Sequence, residues 1–205
     1  MEHMDGHCET HSRNPEQEMQ RTTILTSTIL LLALSAARGE ELIFDNGDPS
    51  LGYGVAVLSE LNAHNQAGDD VAIDQSVWVE RIEWWGTGEG NSFRLRGFRT
   101  RHGLPESTPR IDLNLGEVEG REVSFGGGPV YEYSVDLPRR RVPAGEYAIS
   151  IVEQGAGIDW FWSASCEDGC ESASFRRVDD ADEWGVGNWE MAFRIYGTLP
   201  NRTAH

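Results

Sequence analysis

The sequence contains no lysine. All 17 basic side chains are arginines, and 34 acidic residues give the chain a net charge of −17 at pH 7. A nucleic-acid-binding protein needs a basic face to attract phosphate groups, and docking on anionic lipid needs the same kind of surface. The composition therefore argues against both partners. The 205 residues suffice for one domain with a sizeable core.

Long hydrophobic runs are also missing. The most apolar run, residues 24–34, spans 11 residues, whereas a membrane-spanning helix needs about 20. Small residues follow the run, which is typical of a secretory signal peptide; a short membrane anchor is the alternative. Residues 1–18 are acidic where a signal peptide is basic, so Met19 is the expected start. We predict a signal peptide over 19–39 and a mature chain that is secreted or at the cell surface, without membrane insertion.

No stretch after residue 40 sustains a helical period of 3.6 over ten residues; only residues 55–62 are ambiguous. Short segments of alternating polarity instead stand between Gly, Pro, Asn and Asp residues, which predicts β-strands. The segments are 42–45, 71–73, 76–85, 93–97, 110–115, 131–137, 146–152 and 191–196. We predict one all-β domain over 40–199, an antiparallel β-sandwich or jelly roll, followed by a frayed tail at 200–205.

The strand predicted over 76–85 has an irregular pattern. Trp78, Ile82 and Trp84 share one face at the period of two, and Glu80 interrupts that face. Trp85 points away from Trp84 on a regular strand. Farther along the chain, Trp160 and Trp162 share a face by the same rule.

Eight motifs carry a resemblance to a known family. They are FDNG at 44–47, GDDV at 68–71, IEWWG at 82–86, GLP at 103–105, YEYSVDL at 131–137, AGEYAISI at 144–151, WFW at 160–162 and MAFRIYG at 191–197. In this order they resemble the secreted β-sandwich modules of bacterial cell-surface proteins, many of which carry a PEP-CTERM-type sorting tail. The resemblance covers about 42–199 and implies export and a jelly roll, similar in shape to carbohydrate-binding domains. It implies no activity, and the sequence shows no such tail before His205.

Cysteine is scarce, but two of the three cysteines lie close together. Cys166 and Cys170 flank Glu167, Asp168 and Gly169. In an exported protein a disulfide is the expected state of such a pair, and a turn containing glycine can bring the two residues within bridging distance. A free pair or half of a metal site is the alternative.

Aromatic side chains are the most suggestive chemical feature, because their faces stack on sugar rings. The candidate glycan-binding residues are Trp85, Trp160, Trp162 and Trp184, of which Trp85 and Trp184 are expected to be the most exposed. The alternative is that most of the seven tryptophans fill the core. An extracellular glycan or a cell-surface component is the partner that this pattern predicts.

Clustered acidic residues suggest a structural calcium ion, which prefers oxygen ligands. The candidate ligands are Asp45, Asp48, Asp69, Asp70 and Glu190. No segment has the spacing of an EF-hand loop. The alternative is that these Asp side chains accept backbone hydrogen bonds in turns.

Signals of catalysis are absent. The chain has neither a G-x-S-x-G elbow nor an H-E-x-x-H motif, and Glu80 and Glu83 lie on opposite sides of their predicted strand. The arginine run at 139–141 is typical of a solvated edge strand. The alternative is that it contacts an acidic partner. The sequence therefore favours a non-catalytic binding or surface module. A structural matrix protein without a small ligand and a carbohydrate-active enzyme remain the alternatives.

Overall fold

The computed structural model describes residues 39–49, 56–88, 90–124, 129–155, 159–166 and 174–200. The predicted signal peptide before residue 39 and the tail after residue 200 lie outside these residues. Within them the chain forms strands and no helix, so they contain no helix that could span a membrane. The strands are β1 Glu41–Asp45, β2 Ala56–Leu58, β3 Gln66–Ile73, β4 Val77–Thr87, β5 Ser92–Arg101, β6 Leu104–Pro105, β7 Ile111–Glu117, β8 Arg121–Ser124, β9 Pro129–Val142, β10 Gly145–Glu153, β11 Phe161–Cys166, β12 Phe175–Arg177, β13 Gly185–Val186, β14 Glu190–Met191 and β15 Phe193–Thr198.

The strands form two antiparallel sheets. The first has the order β1-β15-β4-β11-β14, with β9 also beside β4, β8 beside β9 and β2 beside β11. The second has the order β13-β12-β3-β10-β5-β6, with β7 also beside β5. The all-β prediction is confirmed for the described residues.

Alternating side chains from both sheets form one hydrophobic core. On β5 Phe93 and Leu95 face this core, and on β10 Ile149 and Ile151 do so. Alternation places every second residue on one face, and burying an apolar side chain of this size stabilises the fold by about 1.5–3 kcal/mol. The apolar period of the sequence therefore identified the inner face of these strands correctly.

A β-bulge at Glu80 corrects the predicted pattern of β4. Val79 and Arg81 pair with consecutive residues of β15, so Glu80 is an extra residue. The bulge reverses the alternation: Val77 and Val79 face the core before it, and Ile82 and Trp84 after it. The regular pattern predicted that Trp78 and Trp84 share one face. This prediction is wrong, because only Trp84 faces the core. Glu80 does not interrupt that face, because it pairs with Arg139 at 2.8 Å.

A second, smaller cluster lies on the other face of the second sheet. Phe98 of β5 and Ala148 of β10 pack there with Phe175 and Trp184. Arg96 alternates with the core-facing Leu95, yet only 1 % of it is exposed. Arg96 donates hydrogen bonds to Gln66 at 2.7 Å and to Asp180 at 2.6 Å. The segment that includes β12 and Trp184 thus covers the outer face of this sheet.

Candidate functional site

An apolar cleft lies between the inner faces of the two sheets. The cleft encloses about 100 Å³ and is open to solvent on one side. Strands β4, β9 and β15 of the first sheet and β3, β5, β7 and β10 of the second contribute to its walls. The lining residues are Val71, Ile73, Val79, Ile82, Leu95, Arg96, Gly97, Arg110, Ile111, Leu113, Leu137, Pro138, Arg140, Val142, Tyr147, Ala148, Ile149 and Ile195. Two thirds of them are aliphatic, three are arginines, and none is acidic.

The cleft is open because two strand edges face it without pairing. In the described pairings β7 bonds only to β5, and β9 bonds to β8 only as far as Glu132. The inner wall is core, for example Ile82 and Ile195, whereas Leu113 of β7 and Leu137 of β9 are half-buried. The cleft is thus a region where the hydrophobic core reaches the surface.

Arg140 differs from the other two arginines that line the cleft, of which Arg96 is bound to Gln66 and Asp180. Arg140 of β9 pairs with Val79 of β4, and directly paired residues point to the same face of a sheet. Since Val79 packs against the core, Arg140 leaves β9 on the cleft side. It is exposed and forms no hydrogen bond or ion pair in the described structure. Arg141 pairs with Trp78, which lies on the opposite face.

The second arginine of the cleft is already paired. Arg110 donates to the carboxylate of Glu106 from Nε at 3.0 Å and from Nη2 at 2.8 Å. Arg139, next to Arg140 in sequence, contacts Glu80 and lies with its guanidinium carbon 4.9 Å from the centre of the Trp78 ring. Among these three arginines, Arg140 is the one whose charge is uncompensated.

The arginine run 139–141 was predicted as a unit, but its three members differ in the structure. The available signal was the spacing from Leu137 to Val142, which are five residues apart and therefore cannot share a face of a regular strand. A bulge between them, seen as a register shift against β4, returns Val142 to the core face and carries Arg140 with it. The odd spacing of two core-facing residues thus indicated the irregularity.

All four tryptophans predicted to bind a glycan are buried. Trp85, Trp160, Trp162 and Trp184 are at most 5 % exposed. A buried ring offers no free face for a sugar to stack on, so the predicted exposure of Trp85 and Trp184 is wrong. The predicted directions are correct: Trp84 and Trp85 lie in separate clusters, and Trp160 and Trp162 share the main core.

The two tryptophans expected at the surface are covered by different neighbours. Trp85 packs with Val130 and Ala192, and the guanidinium carbon of Arg194 lies 5.1 Å from its ring centre. Trp184 meets Phe98 edge to face at a centroid distance of 5.2 Å. The cation–π contact of Arg194 stabilises the covered Trp85 ring.

Asp180 anchors the segment that contains Trp184 and covers the outer face of the second sheet. It accepts hydrogen bonds from Arg96, from Gln66 at 2.9 Å and from Arg177 at 2.8 Å. Burial acts to raise the pKa of Asp180, but the hydrogen bonds from Gln66 and Arg96 and the charge of Arg177 lower it below its ordinary value. The Arg177 guanidinium also lies 4.5 Å from the centre of the Trp184 ring.

Three of the five predicted calcium ligands, Asp45, Asp48 and Asp69, accept hydrogen bonds from protein donors. Asp45 and Asp48 both accept from Arg194, at 3.1 and 2.7 Å. Asp69 is fully buried and accepts from Asn46 Nδ2 at 2.9 Å and from the backbone amides of Asp70 and Met191. Burial holds its pKa well above the ordinary value.

Asp70 and Glu190, the other two predicted ligands, are half-buried. In the described part of the chain, no group of three or more His, Cys, Asp and Glu side chains is placed to hold a metal ion. A metal site in this region would therefore need further oxygen atoms from the backbone or from amide side chains.

Cys166 ends β11 and is half-buried, while Cys170 lies outside the described residues. The disulfide between them stays a prediction. No protein-family model matches the sequence, and a search of curated proteins found no significant match.

Proposed function

We propose that this chain is a non-catalytic binding protein whose ligand is a single-chain fatty acid held in the cleft between its two sheets. The observation that carries the proposal is the position of Arg140, an unpaired cation on the cleft side of a mostly aliphatic opening. The alkyl chain would enter the cleft, and the carboxylate would meet the guanidinium.

The lining of the cleft supports the apolar half of this ligand. An apolar cavity of about 150 Å³ stays dry and takes up benzene, so 100 Å³ with an open side has room for the end of one alkyl chain. A sugar would leave its hydroxyl groups without hydrogen-bond partners against these side chains, which is costly. The cleft chemistry therefore favours a tail of methylene groups.

Charge supports the other half. The protein as a whole is strongly acidic and repels anions at long range, so an anion needs a local cation to bind. An arginine fork accepts a carboxylate through two parallel hydrogen bonds. Arg140 has no competing acceptor within the described structure, unlike Arg110, which is engaged by Glu106.

Calorimetric titration of the purified protein with decanoate, decanol and decyltrimethylammonium tests this proposal. We expect decanoate to bind best, because it alone satisfies both the cleft and Arg140. Substituting Arg140→Gln should weaken decanoate binding about tenfold, the value of one charge-assisted hydrogen bond. Decanol binding should not change with this substitution.

The matched control is Arg141→Gln, which removes the same charge from the other face of β9. It should leave decanoate binding unchanged. Equal losses in the two variants would indicate a general charge effect and contradict the proposal. No binding of any of the three probes would favour a structural surface protein without a small ligand.

We further propose that the two sheets are the layers of a jelly-roll β-sandwich, that the chain is exported after cleavage near residue 39, and that Cys166 and Cys170 form a disulfide. The resemblance to secreted bacterial modules and the uncharged segment before residue 38 support export. Intact-mass measurement of protein from the culture medium tests the last two points together. The expected mass is that of a chain starting near residue 40 and lacking two hydrogens.

A further inference from the structure

Two glutamates are buried side by side where β10 ends. Glu60 and Glu153 form an isolated bridge between their backbones, and Leu61 N donates to Glu153 O at 2.9 Å. Glu60 is 4 % exposed and Glu153 is 0 % exposed. Their burial is unusual, because glutamate is almost never fully buried unless it is paired.

Neither carboxylate has a partner that would explain its burial. Both oxygens of Glu153, and Oε2 of Glu60, accept no hydrogen bond, and no cationic side chain of the described residues pairs with either one. Because both Glu153 oxygens are unpartnered, the two acids do not share a hydrogen-bonded proton. Burial raises the pKa of Glu60, and the charges of Glu153 and Asp159 raise it further.

Another oxygen lies next to these acids. A Cβ atom added to Gly155 would collide with Glu153 Oε1 and would lie 2.9 Å from Asn91 Oδ1. Glycine at this position therefore lets a carboxylate oxygen and an amide oxygen approach the same point of the backbone. Asp159 contributes a third negative charge nearby, from an exposed position.

We propose that these oxygens bind a calcium ion, with Glu153, Glu60 and Asn91 Oδ1 as its protein ligands. Unpaired buried charge is costly unless it is compensated or coordinates a metal. Ca²⁺ accepts carboxylate, amide and backbone oxygens in irregular arrangements of six to eight, whereas Mg²⁺ demands near-octahedral geometry. Two carboxylates with an amide oxygen form a mixed oxygen donor set of the kind that calcium accepts.

The site is separate from the five acidic residues that the sequence suggested for calcium. A signal for it does exist in the sequence. Tyr147, Ile149 and Ile151 share the apolar face of β10, and Glu153 continues the same alternation. An acid at a core-facing position of a strand indicates a functional or metal-binding group, because a bare charge there would destabilise the fold.

Thermal unfolding of the whole protein, in EDTA and with Ca²⁺ or Mg²⁺ added, tests the proposal. At a hundredfold excess of Ca²⁺ over its Kd we expect the Tm to rise by roughly 5–10 °C. The same concentration of Mg²⁺ should give a smaller rise. Substituting Glu153→Gln should abolish the response to Ca²⁺, and calorimetric titration should show no remaining tight site.

A second variant, Asn91→Ala, tests the site if Glu153→Gln fails to fold. Asn91 is exposed, so its substitution should be tolerated. We expect Ca²⁺ affinity to fall roughly tenfold, since ligand number tunes affinity in calcium sites. The matched control is Glu146→Gln, which removes an exposed carboxylate from the same strand and should keep the full response.

Two outcomes would overturn the proposal. The first is no response of the native protein to Ca²⁺. The second is a response that survives Glu153→Gln but disappears in Asp48→Asn, because this would place the ion near Arg194.

Discussion

The core between the two sheets has an aromatic half and an aliphatic half. In the aromatic half, Trp84, Phe93, Tyr133 and Trp160 are completely buried. Trp84 stacks on Tyr133 at a centroid distance of 5.4 Å, and Phe93 meets Trp160 edge to face at 5.1 Å. The aliphatic half has smaller side chains around the open cleft. The difference shows that ring volume seals one part of the core and that its absence leaves the other open.

Close backbone approach completes the aromatic half. A Cβ atom at Gly86 would collide with the Trp160 indole, and one at Gly90 would lie 2.7 Å from Trp160 Cδ1. Tyr133 Oη accepts from Gly90 N and donates to Gly88 O, both at 3.1 Å. Tyr133 is therefore fixed by both packing and hydrogen bonds, whereas Trp84 and Trp160 are held by packing, because their buried indole N–H groups have no hydrogen-bond partner among the described residues. The open cleft lies among mostly aliphatic residues instead.

Truncating one side chain in each half should give the largest contrast. We expect Trp160→Ala to lower the free energy of unfolding by about 3–5 kcal/mol, because it leaves a large cavity in a sealed region. Leu113→Ala should cost about 1–2 kcal/mol, since Leu113 is half-buried and solvent can enter the gap. Urea denaturation followed by far-ultraviolet circular dichroism measures both. Equal costs would remove the distinction between the halves.

Enlarging a side chain in each half should give a smaller contrast. Ala164→Leu adds volume beside Trp162 in a filled region and should cost about 1–3 kcal/mol. Leu113→Phe should change stability by less than about 1 kcal/mol, because the extra atoms can occupy the cleft. The same variant should weaken decanoate binding. A large loss of stability in Leu113→Phe would mean that the cleft is closed in solution.

The smallest expected effect concerns Trp184, which lies outside both halves and is held by charged groups. The pKa of Asp180 is lowered, so its ionised carboxylate stabilises the folded segment at neutral pH. This stabilisation is lost as the pH falls from about 4, the ordinary aspartate pKa, through the lowered value. Fluorine NMR of 5-fluorotryptophan-labelled protein should show the Trp184 signal shifting in that range, before the Trp160 signal.

Asp180→Asn serves as the control for this titration. Its Trp184 signal should already be altered at neutral pH and should not titrate in the same range. If the native Trp184 and Trp160 signals shift together, the covering segment does not open separately from the core, and the distinction between ring packing and charge contacts fails.

Alternation in the sequence predicted much of the fold, and nonlocal pairing accounts for the rest. The core-facing residues of β5, β7 and β10 follow from a period of two. The bulge at Glu80 could not be predicted, because it exists only relative to the registers of β9 and β15. One inserted residue reverses the faces, which is why Trp78 was placed on the wrong side.

The candidate site was less predictable than the strands. Trp184 lies in an acidic, glycine-rich segment that is typical of a surface loop. Its burial depends on Phe98, which is distant in sequence, and on Arg177, a charged residue that no apolar pattern includes. The cleft depends on a gap between β7 and β9, which no local pattern encodes. Arg140 and Glu153 could have been identified from the sequence, since each is a charged residue at a core-facing position of its strand.

Under the proposal, the aliphatic half binds the ligand and the aromatic half does not. Titration of methyl-labelled protein with decanoate, with both methyl and indole N–H signals followed by NMR, distinguishes the two halves. We expect shifts at the methyl groups of Val79, Leu113, Leu137 and Val142, and unchanged signals for Trp84 and Trp160. Shifts of the indole signals without shifts at these methyl groups would contradict it.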